Sequence, residues 1–258
     1  MIKAFSPNMN SDIKNKTMLE QIKCAIENKN IISHFQPIIN NQTNEIEKYE
    51  SLVRLINENN EVLLPNLFLG ISKASNIYCE ITKQVLENSF LILQENQGIS
   101  ISINLSMSDI ENEEIQNTIL FFLDKHSELG KRIIFELLED ERIINFKVIS
   151  RFIYSIKKRE VRIAIDDFGS GYSNFERIFR LAPDIIKIDG SIIGGLENNN
   201  YSRDLIESLV YFSKKQGIKT IGEWVESEST YTILRNIGVD YSQGYYFGKP
   251  AALKISKN

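Results

Sequence analysis

A chain of 258 residues with 42% hydrophobic and 25% charged residues has enough apolar material for one barrel-sized core or two smaller ones. Its net charge of −4 provides no overall basic field for nucleic acid. Two cysteines, Cys24 and Cys79, form neither a CxxC pair nor a disulfide framework and are expected to be reduced thiols in the cytoplasm.

The opening "MIKAFSPNMNSDIKNK" has no apolar signal core, and no later run is long enough to cross a bilayer, so a cytoplasmic domain without membrane contact is expected. Residues 1–16 read as a flexible leader or linker, and 17–258 as one folded domain. Thr17 and Glu20 suggest a capping box for a helix through "MLEQIKCAIE". "ISHFQPII" and "EKYESLVRL" read as a strand pair across the turn-rich "NNQTNE", followed by a helical stretch over residues 66–94. "GISISINLS" is the next strand, and Ile115, Ile119, Phe122 and Leu123 then share a helix face. "KRIIFELLE" precedes a helix with Ile149, Phe152, Ile153 and Ile156 at i, i+3, i+4 and i+7. "VRIAIDD", "PDIIKID", "KTIGEWV" and "DYSQGYYFG" complete the strands. Strands alternating with amphipathic helices predict parallel β/α units, and about eight of them close a (β/α)8 barrel.

The late strands end on polar residues: Asn104, Glu136, Asp166 with Asp167, Lys187, Glu223 and Gln243. In a barrel such ends converge on one mouth, where active sites are built. One strand-end carboxylate is ordinarily a helix cap or a solvated loop residue. Six consecutive polar ends are not explained that way. Oxygen ligands from Glu, Asn and Asp favour Mg²⁺ or Mn²⁺. His34 and His126 have no metal-ligand spacing, which argues against zinc hydrolysis and a Ser-His-Asp triad. The Asp pair with Glu and Asn suits two divalent ions about 3.5–4 Å apart, sharing one carboxylate. Lys187 would orient the attacking water or neutralise charge developing at phosphorus.

Eight ordered motifs then carry a family resemblance: "QP" at Gln36, "ESLVR" at Glu50, "NLS" at Asn104, "FELLE" at Glu136, "DDFGSGYS" at Asp166, "KID" at Lys187, "EWVE" at Glu223 and "QGYYFGKP" at Gln243. From about Leu19 to Pro250 the chain resembles the EAL domain family of cyclic di-GMP phosphodiesterases. The resemblance implies a modified (β/α)8 TIM-type barrel with one antiparallel strand and hydrolysis of cyclic di-GMP to linear pGpG. It implies two divalent cations, Mg²⁺ or Mn²⁺, with Ca²⁺ inhibitory. Glu50, Asn104, Glu136 and Asp166 match the first ion's ligands, and Asp166 with Asp167 the second's. Lys187 matches the lysine that contacts the attacking water, while Glu223 and Gln243 complete the metal and water shell. Glu139 matches the glutamate that steadies the loop after the Asp pair. Arg54 matches the arginine that grips a substrate phosphate, and Gln36 and Asp189 match further substrate contacts. The family also implies a homodimer formed beside the Asp loop, with a sensor or GGDEF domain ahead of this one if the chain is a fragment. Gly169 and Gly171 would let that loop turn tightly.

The chain departs from the family pattern at three places. Ser51 replaces Ala, Gly70 and Lys73 stand where "FIPxAE" has Pro and Glu, and Trp224 replaces the Gly of "EGVE". Strand alternation predicts that Trp224, the only tryptophan, packs outward under a helix, the alternative being that it reshapes Glu223 or stacks near a guanine. Tyr245, Tyr246 and Phe247 are expected to pack the last strand. Two other functions remain open. One is a non-catalytic receptor or protein-interaction module that binds cyclic di-GMP. The other is an unrelated barrel enzyme, such as a Mg²⁺-assisted lyase with Lys187 as base.

Overall fold

The computed structural model describes residues 7–138, 145–169 and 181–253, with side chains from residue 15 onward. Eight strands close a barrel in the order β1 (Ile31–Asn40), β9 (Tyr241–Gln243), β8 (Lys219–Gly222), β7 (Ile185–Ile188), β6 (Arg162–Phe168), β5 (Ile133–Leu138), β4 (Ser100–Asn104) and β2 (Ile46–Ile56). The β1–β2 pairing completes the ring, and β3 (Val62–Leu63) is a short addition to β2. β1 runs antiparallel to both of its neighbours, and the other barrel pairs are parallel. The expected TIM-type barrel with one reversed strand is therefore the fold observed.

Some boundaries differ from the sequence expectation. The first helix spans Pro7–Glu27 and so begins well before Thr17. The single helical stretch expected over 66–94 is two helices, Pro65–Ala74 and Tyr78–Glu95. They are separated at Asn76, which sits at φ +57° in the left-handed region that asparagine tolerates better than most residues. The last two strands are shorter than their apolar runs because Glu223 and Gly244 begin the turns that shape the mouth. Among the described residues no helix is long and apolar enough to cross a membrane.

Outward-facing strand residues such as Ile101, Ile103, Phe135 and Ile163 pack with the helices into one large core. The inward faces form a second, smaller cluster of Ile38, Ile134, Ala164, Ile185, Ile221 and Tyr241. Alternation along each strand relates this cluster to the mouth. Ile134 precedes Glu136 by two residues, as Ala164 does Asp166, Ile185 does Lys187, Ile221 does Glu223 and Tyr241 does Gln243. The lower member of each pair joins an apolar plug, and the upper member projects into the mouth above it. Water is thus kept from beneath the polar layer.

Beside the plug, opposite Ile38 on β1, lies Lys48, fully buried, with Nζ 2.6 Å from Glu47 Oε1 and 3.2 Å from the centre of the Tyr241 ring. The Tyr241 hydroxyl donates to the same carboxylate oxygen at 3.1 Å. Burial lowers the Lys48 pKa to about 8, outweighing the pull of Glu47. Unfolded lysine titrates near ~10.4, so between about pH 8 and 10 the unfolded chain holds the extra proton and stability rises with pH. Above about pH 10 Tyr241, whose pKa is raised by burial and by Glu47, opposes that trend. Denaturant unfolding of wild type and Lys48→Met across pH 7–10 should show the wild type gaining stability relative to the variant. A pH-independent difference would contradict this account of Lys48.

Candidate active site

The register of the strands brings the expected residues together. Gln36 lies directly opposite Glu50 on the antiparallel β1–β2 pair, so the two side chains share the inner face. In the parallel ladders Glu50 is paired with Ser102, Asn104 with Glu136 and Leu138 with Asp166, which steps the polar residues around the rim.

Lys187 is at the centre. Its Nζ lies 2.8 Å from Glu136 Oε2, 2.8 Å from Asp166 Oδ1, 3.0 Å from Glu223 Oε1 and 3.4 Å from Glu50 Oε2. Glu50 is further tied by Asn104, whose Nδ2 donates to Oε1 at 2.8 Å, and by Gln243, whose Nε2 donates to Oε2 at 2.7 Å. The Gln243 amide also reaches Gln36 Oε1 at 3.2 Å, and Gln36 Nε2 donates to the Gly248 carbonyl.

The electrostatics are unbalanced. Four carboxylates face one ammonium, all of them buried. Burial raises the Lys187 proton's cost, but Asp166, Glu136, Glu223 and Glu50 outweigh it and hold the pKa well above the usual lysine value. Glu50 is also buried, yet Lys187, Gln243 and Asn104 keep its pKa below the ordinary range. Glu136 is pushed well above that range by burial, to which the charges of Glu50 and Asp166 add. Glu223 is raised to about 8, by burial first and then by Asp166 and Glu50. Asp167 is raised to about 6 by burial, Asp166 and Asp189.

Buried Glu136 Oε1, Glu223 Oε2 and Gln243 Oε1 have no hydrogen-bond partner among the described residues. Leaving such oxygens unsatisfied costs roughly 1–3 kcal/mol each, so their alignment calls for a further partner. Two groups offer carboxylate oxygens within 4.8 Å of one another: Glu50, Glu136 and Asp166, and Asp166, Asp167 and Glu223. Asp166 belongs to both. An all-oxygen set with excess negative charge and unpaired oxygens fits hard divalent cations.

Adjacent strand residues normally face opposite ways, so Asp167 should point away from Asp166. The backbone prevents this. Asp167 adopts φ +54°, and the β6–β7 register shifts between Ile165 and Phe168. Such an irregularity re-aims one side chain, and here it lets both carboxylates serve the mouth. Gly169 follows at φ +94°, where an added Cβ would fall 2.3 Å from Ile192 Cδ1. Glu139 and Gly171 lie outside the described residues.

A cavity of about 540 Å³ opens over this layer, within the range of small-molecule sites. Glu50, Glu223, Gln36 and Gln243 line it together with Arg54, whose Nη1 donates to the Val53 carbonyl. Asp189 does not line the cavity. It caps the short Gly190–Ile193 helix by accepting from the Ser191 N–H. Lys73 lies beside a smaller cavity of about 230 Å³ next to Ser51 and Asn104, with its ammonium 4.9 Å from the centre of the Tyr78 ring. The Ser51 hydroxyl accepts a bond from Ser89 at 2.8 Å, which satisfies the extra oxygen at that position.

Two wall residues differ from expectation. Trp224 is 69% exposed on the rim, and Tyr245 is likewise exposed and lines the cavity. Strand alternation fails at both because neither remains in a strand. Gly244 lets the chain turn there: a Cβ on it would fall 2.1 Å from the Val225 carbonyl oxygen. Phe247 does pack as expected, edge-on to Tyr231 and Tyr246.

Comparison with known proteins places the chain as a whole. The chain is 29% identical over 244 residues to a protein of Escherichia coli strain K12 named probable cyclic di-GMP phosphodiesterase PdeA, covering 93% of this chain and 33% of that one. The chain spans about a third of the length of the curated relatives it matches first. The crystal structure of an EAL domain protein from Listeria monocytogenes EGD-e superposes with a TM-score of 0.82 at 29% identity, covering 90% of this chain and 93% of that one. The FimX EAL domain from Pseudomonas aeruginosa, bound to c-di-GMP, gives a TM-score of 0.84 at 25% identity, covering 93% of this chain and 99% of that one. The EAL domain family itself matches residues 19–250. This chain belongs to the EAL domain family.

Proposed function

We propose that this chain is a metal-dependent phosphodiesterase that hydrolyses cyclic di-GMP to linear pGpG. The observation that carries the reading is the pair of carboxylate groups sharing Asp166, with unpartnered buried oxygens beside them. Relatives named as cyclic di-GMP phosphodiesterases support the substrate class.

Glu50, Glu136 and Asp166 would hold one Mg²⁺ or Mn²⁺ with Asn104, and Asp166, Asp167 and Glu223 the other. Bound there, two such ions lower the pKa of water and stabilise charge in an in-line displacement at phosphorus. The chain's own groups do the remaining work. Lys187 keeps its proton and orients the attacking water. Gln243 holds Glu50 in place and, with Glu223, completes the water shell. Arg54, a planar cationic fork on the cavity wall, suits a phosphate of the substrate. Gln36 lies beside it as a neutral contact, while Asp189 acts through the short helix that it caps. Glu139 would steady the segment after Asp167. Pairing into a homodimer beside that segment belongs to the same reading.

Purified protein with Mn²⁺ or Mg²⁺ should convert cyclic di-GMP to pGpG, with chelator or Ca²⁺ suppressing product, as chromatography of the nucleotides would register. Tight binding without product at saturating metal would instead assign the domain as a receptor. Glu50→Ala should lower turnover by at least about 100-fold while circular dichroism stays native, since even outer-shell changes at metal sites cost 10–100-fold. Wild-type rates in that variant would remove Glu50 from the ligand set. Mn²⁺ at about 100 times its Kd should raise the melting temperature by roughly 5–10 °C. An unchanged melting curve would count against the ion site independently of any assay.

A further inference from the structure

Trp224 occupies a backbone position that a bulky side chain normally avoids. Its φ is +53°, in the left-handed region. The conformation is imposed from both sides. The Glu223 N–H donates to the Ile188 carbonyl, the Val225 N–H donates to the Gln243 carbonyl, and the Val225 carbonyl accepts from the Tyr246 N–H. Glycine would meet these constraints without strain. The indole is nevertheless retained and accommodated: a Cβ on Gly190 would fall 2.4 Å from Trp224 Cγ, so the bare glycine makes room for it.

Burial does not explain the residue. At 69% exposed, the indole contributes little to the core. One surface borders Gly190, and the side chain forms part of the wall of the 540 Å³ cavity that also contains Arg54, Glu50 and Glu223. A strained, exposed aromatic beside a phosphate-binding cation and a carboxylate layer is where a nucleotide's base would lie once its phosphate is seated. Strain retained at such a place is a marker of function.

We infer that Trp224 is a base-stacking residue of this cavity, on which one purine of the cyclic dinucleotide rests. This rests on the cyclic di-GMP reading of the site. Stacking accepts any base with a π-face, so Trp224 contributes affinity rather than the choice of guanine. Trp224 is also the sole tryptophan, so its fluorescence reports this position alone.

The test uses wild type, Trp224→Gly and Trp224→Phe. Titrating wild type with cyclic di-GMP in Ca²⁺ should quench tryptophan emission with the same Kd as an independent binding measurement. Trp224→Gly should raise Kd and KM by between about five- and one-hundredfold, the usual range for loss of one base stack. Its kcat should stay within about twofold, because the indole is outside the carboxylate set. Its melting temperature should equal or exceed that of wild type, since glycine relieves the left-handed strain, and Trp224→Phe should recover most of the affinity. Unchanged Kd and KM in Trp224→Gly would overturn the inference, as would lower kcat with unchanged KM and a lower melting temperature, which would make Trp224 a structural residue. If wild type neither bound nor cleaved cyclic di-GMP while its metal-dependent melting shift persisted, the substrate reading would fall and the stacking role with it.

Discussion

Four buried carboxylates converge on the ammonium of Lys187, and the arrangement of the barrel mouth follows from that encounter. Each carboxylate taken from water alone would neutralise or force the chain apart. Around one cation they remain together, but the charge is only partly balanced. Burial first, and then the remaining negative charge, raises the pKa of Glu136 and Glu223. The apolar plug beneath contributes as much as the charges do. Ile134, Ala164, Ile185 and Ile221 exclude water from below, which strengthens every interaction in the layer above. Asn104, Gln243 and Gln36 then brace Glu50 laterally, so its oxygens are positioned before any ion arrives. Such preorganisation is what electrostatic catalysis requires, because the cost of orientation is met on folding.

Around this rigid layer, two rim residues carry local backbone strain. Asp167 and Trp224 both adopt left-handed backbone next to the site. At Asp167 the strand register slips and resumes at Phe168, opposite Ile188. At Trp224 hydrogen bonds to β7 and β9 hold the chain on either side. In both places the surrounding ladder over-determines a conformation that costs on the order of 1 kcal/mol or more. The outcome differs in kind. One irregularity brings a second carboxylate into the mouth, and the other sets an aromatic surface on its edge. The same barrel therefore combines a fixed inner layer with a rim shaped by local departures from regular strand.

Much of this was legible in the one-dimensional pattern. Alternation in "RIIFELL", "VRIAIDD" and "DIIKID" places a polar residue two positions above an apolar one on the same face. That spacing specifies both the plug and the mouth, because a strand's side-chain period is two. The order of the motifs identified the family, and the strand count with helical periodicity identified the barrel. Composition argued against a zinc centre and a disulfide framework, since two histidines and two cysteines lack the spacing for either.

What alternation could not supply was decided where the chain leaves regular strand. It assigned Trp224 to outward packing under a helix, whereas a positive φ leaves the indole exposed on the rim. Strict alternation alone could not explain how Asp167 joins Asp166, which another positive φ achieves. It treated Tyr245 as strand packing, although Gly244 turns the chain toward the cavity first. Nor does any local pattern reveal that Lys187 meets Glu50, a residue 137 positions away. The sequence by itself determined which residues line the barrel's inner face, because that depends on a local periodicity. Only closure of the barrel decided which of them touch, because distances across the mouth depend on strand stagger and on backbone kinks imposed by neighbouring strands.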